Sequence, residues 1–283
     1  MTVFDEHRRL LFSVAYRMTG SVADAEDLVQ EAWLRWSTVD ADEIENPRAY
    51  LVRTITNLSL NELTSARARR ETYVGPWLPE PLLTEPDASQ EAEMADSISQ
   101  AMLVVLETLS PLERAVFLLH DVFGYSHGEI ASILDKSEPA VRQTATRARA
   151  HVAARRPRFA TDPVVRQEAA ERFLEACAGG DLNTMMELLA PDVVCWSDGG
   201  GKVTAALRPL VGADHVARWV LGVVAKPSVA GVRLELREIN GELGLIALAG
   251  DTPVGAVGFD VTGGRIAALR FVVNPDKLRG LQP

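Results

Sequence analysis

From Val141 to Arg158 the chain carries six arginines and no acidic residue. Within that run Arg142, Gln143, Thr146, Arg147 and Arg149 are donors at helical spacing. On the N-terminal and middle turns of a helix, such donors reach base edges or phosphates in the major groove. A solvated basic face is the alternative, since arginine is a good helix former and cations near a helix C-terminus need no ligand. Against it, Arg142, Arg147 and Arg149 have no interleaved acid and no acidic i,i+4 partner to relieve their repulsion. The pattern favours nucleic-acid contact. The net charge of −10 argues against non-specific coating of nucleic acid, which needs a positive face. Charge is segregated, however. Glu80 to Asp96 holds six acids and no base, so a local basic footprint survives in an acidic chain.

The flanking residues predict the elements that position these donors. Ser126 with Glu129 forms a capping box, and Ile130, Ala131 and Leu134 supply an inner face. A short DKS turn then leads to a second helix with Ser137 as N-cap and Pro139 in its first turn. Two short helices joined in this way make a helix-turn-helix candidate. Upstream, a helix ends near Thr108, Ser110-Pro111 starts the next, and Gly124 closes it.

Nearer the N-terminus, SVADAEDLVQEAWLRW has Ser21 as N-cap and Ala25, Leu28, Val29, Ala32, Trp33 and Trp36 on one helical stripe. The other face carries Asp24, Asp27, Gln30 and Glu31, either a solvated surface or a docking face for a basic partner. Asn46-Pro47 opens a further helix that ends in the basic SARARR, with Arg67, Arg69 and Arg70.

Residues 73–96 hold four prolines, Pro76, Pro79, Pro81 and Pro86, which favour an extended chain. An ordinary linker is polar, yet this one carries Trp77, Leu78, Leu82 and Leu83, side chains that need a surface to bury against. After a second linker at residues 157–164, three helical segments (VRQEAAERFLEACAGG, DLNTMMELLAPDV and ADHVARWVLGVV) precede strands joined at Asn240-Gly241 and at Thr262-Gly263-Gly264. Helices followed by hairpins predict an α+β domain with a curved antiparallel sheet over residues 165–283.

Several function classes lack support. Cys177 and Cys195 follow no paired spacing and the five histidines no HExxH, so neither a metal site nor a disulfide is indicated. The N-terminus MTVFDEHRRLLF has no apolar run with a cleavage site, and there is no stretch of ~18 uncharged apolar residues, so a cytoplasmic protein without a membrane partner is expected.

Residues 1–156 resemble an extracytoplasmic-function (ECF) sigma factor of bacterial RNA polymerase. DAEDLVQEAWLRW looks like the conserved helix of the sigma-2 domain, NPRAYLVRTITN its promoter-melting segment, and LETLSPLERAVFLLHDVFGYSHGEIASIL with VRQTATRAR the sigma-4 domain. The C-terminal part resembles the SnoaL-like, nuclear-transport-factor-2-like fold. One ECF subgroup fuses the two, with signatures matching WLPEPL (Trp77, Leu78, Pro79, Glu80, Pro81, Leu82), DGGGK (Asp198, Gly199, Gly200, Gly201, Lys202) and NPDKL (Asn274, Pro275, Asp276, Lys277, Leu278). The fold class implied is two all-α sigma domains, at 1–72 and 97–156, followed by an α+β SnoaL-like cone at 165–283.

The resemblance also implies roles. Asp24, Asp27, Gln30 and Glu31 would dock on the β′ subunit of core polymerase, whose β and β′ subunits are the expected partners along with promoter DNA. Asn57 would read an extruded −10 base, its amide offering both donors and acceptors. Arg53, Arg67, Arg69 and Arg70 would contact phosphate, and Tyr50 either stacks on a melted base or packs in the core. Arg142, Gln143, Thr146 and Arg147 would face the −35 element, with Arg149 and His151 on phosphate. The chain departs from many relatives at Gln143-Thr144, where a Ser-Arg pair is common, and at Thr146, where an aromatic often lies.

Where other sigma factors are held by a separate anti-sigma protein, the fused domain would act in cis, with Trp77, Leu78 and Leu82 docked on it. DGGGK is either a tight loop needing positive φ or a regulatory contact, and Asp276 and Lys277 would pair with the linker or sigma-2. Alternatives remain: an enzyme using Asp198 or His215 as base, a sensor with an unknown small ligand in a pocket lined by Trp196, Trp219, Met185 and Met186, and an operator-binding repressor. No cofactor is expected.

Overall fold

The computed structural model describes residues 3–40, 44–84, 99–155 and 162–281, and the side chains of residues 66–71 lie outside that description. The chain divides into two compact units, Met1–Thr72 with Met102–Arg156 and Tyr73–Ala101 with Pro157–Pro283.

The first unit is helical: α1 (Val3–Thr19), α2 (Val22–Ser37), α3 (Pro47–Glu71), α4 (Gln100–Leu106, whose first two residues fall in the second unit), α5 (Pro111–Phe117), α6 (His127–Leu134) and α7 (Glu138–Arg155). Local capping chemistry starts them. The Asp24 N–H donates to Ser21 Oγ at 3.1 Å, the Ala49 N–H donates to Asn46 Oδ1 at 3.0 Å, and Ser110/Glu113 and Ser126/Glu129 form reciprocal capping boxes. Helix α5 continues into a π-helical turn, Leu118–Val122, and stops at Gly124 with φ +73°.

The α1–α3 core is the predicted stripe with one correction. Ala25, Leu28, Val29, Ala32 and Trp36 are buried, but Trp33 is 50% exposed beside Leu34 at 57%. With 3.6 residues per turn, Trp33 lies about 80° from the centre of that stripe. Helices α5 and α6 pack on α3. Buried Arg114 ties α5 to α1, its Nη1 donating at 2.6 Å to both the Met18 carbonyl and Glu107 Oε1.

In the second unit α8 (Pro163–Gly179) and α9 (Leu182–Leu188) are capped by Asp162 and Asp181. The chain becomes strand β1 at Leu189–Asp198, so the segment DLNTMMELLAPDV is helical only in its first half. β2 (Leu210–Val211), α10 (Ala213–Val224), β3 (Val232–Ile239), β4 (Glu242–Ala249), β5 (Thr252–Thr262) and β6 (Arg265–Val272) complete a six-stranded sheet in the order β2-β1-β6-β5-β4-β3. The sheet is mixed rather than purely antiparallel, because β1 pairs parallel with β6. That pairing follows from the long return of the chain through α10 and β2–β5. Register shifts in the β4–β5 and β5–β6 ladders curve the sheet around the three helices, and Phe173 of α8 meets Phe259 of β5 edge-on at 5.3 Å. This α+β cone is a SnoaL-like fold.

Candidate functional site

The three signatures WLPEPL, DGGGK and NPDKL converge inside the second unit on Asp198, the last residue of β1, which is fully buried. Its carboxylate accepts four hydrogen bonds. Oδ1 takes the Tyr73 hydroxyl at 2.6 Å and the Gly200 N–H at 3.1 Å, and Oδ2 takes the Leu78 N–H at 2.8 Å and Lys277 Nζ at 2.7 Å. The Asp198 carbonyl accepts the N–H groups of Val273 and Asn274. Lys277, also buried, donates from the same ammonium to the Leu78 carbonyl at 2.5 Å and lies 4.1 Å from the Trp77 ring centroid. Both backbone groups of Leu78 are therefore held by one buried ion pair, and its side chain is buried as well. Asn274 Nδ2 donates to the Tyr73 hydroxyl at 2.9 Å. Burial first, then the hydrogen bond to and charge of Asp198, push the Tyr73 phenol well above its usual range.

Gly200 explains part of the glycine run. Its φ is +57°, and a Cβ there would stand 2.3 Å from Asn274 Nδ2. Gly201 likewise has positive φ, with Val74 against it. Lys202 forms an exposed ion pair with Asp276.

Beyond the hub the linker runs along the β3–β4 turn. Leu83 bridges Ile239, Asn240 exchanges hydrogen bonds with Leu82 through N–H to carbonyl (2.8 Å) and Oδ1 from N–H (3.2 Å), and Thr84 pairs with Glu238 and the Gly241 N–H. Gln100 Nε2 reaches the Pro79 carbonyl at 3.5 Å. Pro79 and Pro81 are buried, Trp77, Glu80 and Leu82 half-buried, Leu278 buried, and Pro275 exposed. Asn240, Glu238, Thr84 and Gln100 carry no motif. Tyr73 begins the proline-rich stretch, but nothing local marks it as a partner of Asp198.

In the first unit Arg142, Gln143, Thr146, Arg147 and Arg149 all lie on the exposed face of α7, while Val141, Ala145, Ala148 and Val152 are buried. The expectation that no acid relieves these arginines is corrected. Arg142 Nε bonds Glu138 Oε1 at 3.1 Å, an i,i+4 pair just outside the basic run, and Arg149 Nε bonds Asp121 at 2.7 Å. These pairs are exposed and do not remove the basic face. On α3 Arg53 is exposed and Asn57 half-buried. Tyr50 packs on Trp36, ring centroids 5.7 Å apart. Arg67, Arg69 and Arg70 lie on the α3 backbone, but their side chains are outside the described residues. Asp27, Gln30 and Glu31 are exposed and Asp24 half-buried on α2, and Trp33, expected on the buried stripe, instead adds an exposed apolar element there beside Leu34.

The residues offered for catalysis are not arranged for it. Asp198 is saturated by donors, and His215 is exposed on α10. The pocket residues are also corrected: Met185 is fully buried core, Trp219 packs edge-on against Phe271 at 5.2 Å, and Trp196 lies under Arg270. Cys177 and Cys195 are buried free thiols, each pushed up to about 12 by burial. Among the described residues no group of three or more His, Cys, Asp or Glu side chains is placed to hold a metal, and no helix is long and apolar enough to cross a membrane.

The model of sigma-70 region 2 matches residues 3–69, and that of region 4 matches residues 99–152. The chain is 43% identical to the ECF RNA polymerase sigma factor SigJ of Mycobacterium tuberculosis strain H37Rv, an alignment covering 98% of this chain and 92% of SigJ. It is 30% identical to the probable ECF RNA polymerase sigma factor SigI of the same strain, covering 98% and 93%. The crystal structure of M. tuberculosis SigJ superposes with a TM-score of 0.78 at 40% identity, covering 98% of this chain and 97% of that one. The likeness thus runs along the whole length of both chains, and the chain belongs to the ECF sigma factors of RNA polymerase.

Proposed function

We propose that this ECF sigma factor is regulated in cis by its C-terminal domain, which restrains transcription initiation by holding the linker that joins regions 2 and 4. The carrying observation is the buried Asp198–Lys277 pair clamped on both backbone groups of Leu78. Residues 73–84 and 99–101, the two described ends of the inter-region segment, both belong to the C-terminal unit. Covalent attachment gives the linker a high effective concentration at its dock, and its prolines lower the entropy of docking. Regions 2 and 4 themselves share one compact unit, packed through α3, α5 and α6. Reading two promoter elements at once requires them to respace, and a docked linker opposes that.

In this account Arg53 and Asn57 engage the −10 element, with Arg67, Arg69 and Arg70 on phosphate. Arg142, Gln143, Thr146, Arg147 and Arg149 engage the −35 region, and Asp24, Asp27, Gln30 and Glu31 with Trp33 and Leu34 engage core polymerase. The test is transcription in vitro by core polymerase from a selected promoter, comparing the full chain with one ending near residue 161. Higher activity of the shorter chain supports restraint. A folded but inactive shorter chain makes the C-terminal domain a working part of the initiation complex and refutes it.

A further inference from the structure

The cone of the C-terminal unit encloses a cavity of about 160 Å³. Phe173, Val220, Leu234, Ala247, Val257 and Phe271 form its wall, and the one side-chain heteroatom on it is the Cys177 thiol. That thiol is held neutral by burial. A ligand bringing a polar group would leave it unpaired here, at a cost of ~1–3 kcal/mol per group. An apolar cavity of roughly this size stays dry and holds benzene. Val224 and Val254, also on the wall, are about two-fifths exposed and mark its mouth.

One wall residue leads to the linker dock. Val273 lines the cavity, and the missing side chain of Gly255 leaves room for it, since a Cβ there would lie 3.3 Å from Val273 Cγ1. The Val273 N–H donates to the Asp198 carbonyl at 2.8 Å, and the next residue, Asn274, bonds the Tyr73 hydroxyl of the linker. Val273 thus connects the cavity wall, through these bonds, to Asp198 and to the linker.

We propose that this cavity is a binding site for an uncharged, apolar small molecule of about benzene to indole size, and that Val273 transmits its occupancy to the docked linker. The transmission rests on the in-cis reading of the C-terminal domain, whereas binding does not. The test uses the full chain with benzene as probe and benzoate as charged control, read by calorimetry and by the amide resonances of Val273, Asn274 and Leu78.

Expected are a saturable rise in Tm with benzene, none with benzoate at equal concentration, and shifts at all three amides. Ala247→Leu, which fills the cavity, should abolish the response. Val257→Thr, which keeps its volume, should weaken binding roughly fivefold or more. No saturable rise, or a rise that survives Ala247→Leu, would make the cavity a packing defect and overturn the proposal. Binding without shifts at Asn274 and Leu78 would overturn the transmission. If benzene binds and the amides move while removal of the C-terminal domain leaves transcription unchanged, the in-cis reading fails and the binding site stands.

Discussion

Helix α7 and the Asp198 hub both use cations against carboxylates, and they differ in burial. On α7 the side chains of Arg142 and Glu138 are 66% and 44% exposed, whereas at the hub Lys277 and Asp198 are 7% and 0% exposed. An exposed pair contributes about 0–1 kcal/mol and exchanges partners readily. A buried pair is costly to break, because the survivor is left as an uncompensated charge. In the proposed reading Arg142 and Arg149 exchange Glu138 and Asp121 for phosphate or base edges, while the hub cation stays with one carboxylate and one stretch of linker.

The sharpest way to break this contrast is Lys277→Met, which strands Asp198 and should cost about 3–5 kcal/mol in the second unit, read by calorimetry. Adding Asp198→Asn should cost less than the sum of the two single changes, a coupling of about 0.5–3 kcal/mol. Gly200→Ala should lose about 1–3 kcal/mol, combining left-handed backbone strain with the clash against Asn274, again read as unfolding free energy.

Tyr73 adds a pH signature. Its folded pKa lies above the unfolded value near 10, so its contribution is complete below that pH and lost as pH rises through the folded value. The wild-type chain should lose stability more steeply than Tyr73→Phe above about pH 10, in thermal melts across that range.

The smallest stability effect belongs to α7. Arg142→Ala should change unfolding by no more than about 0.5 kcal/mol, yet weaken promoter binding by the holoenzyme. If Arg142 serves only phosphate, the slope of log affinity against log salt falls by about 1. If it reads a base, specificity relaxes at one position instead.

Much of the first unit was legible because its signals are local. The Ser110 and Ser126 caps act across three residues, and the buried face of α7 repeats with the helical period. Trp33 was misplaced because it sits at the rim of an otherwise regular stripe, and the Glu138 partner of Arg142 lies just before the basic run. The hub is a different kind of object. Asp198 meets Leu78 across 120 positions and Asn274 meets Tyr73 across 201, distances over which no periodicity reports. Its motifs were visible through family resemblance, but Tyr73, Asn240 and Glu238 join the dock only through the folding of distant segments onto one another. The parallel β1–β6 pairing was hidden for the same reason, since only neighbouring hairpins announce their register.

The central claim is that the linker clamp restrains initiation, and the most direct test is transcription in vitro by core polymerase carrying either the wild-type chain or full-length Lys277→Met. Circular dichroism would first establish that the variant's helices are intact. The account predicts more transcript from the variant, because the linker is released while α2, α3 and α7 are unchanged. Equal or lower output from a folded variant would contradict it.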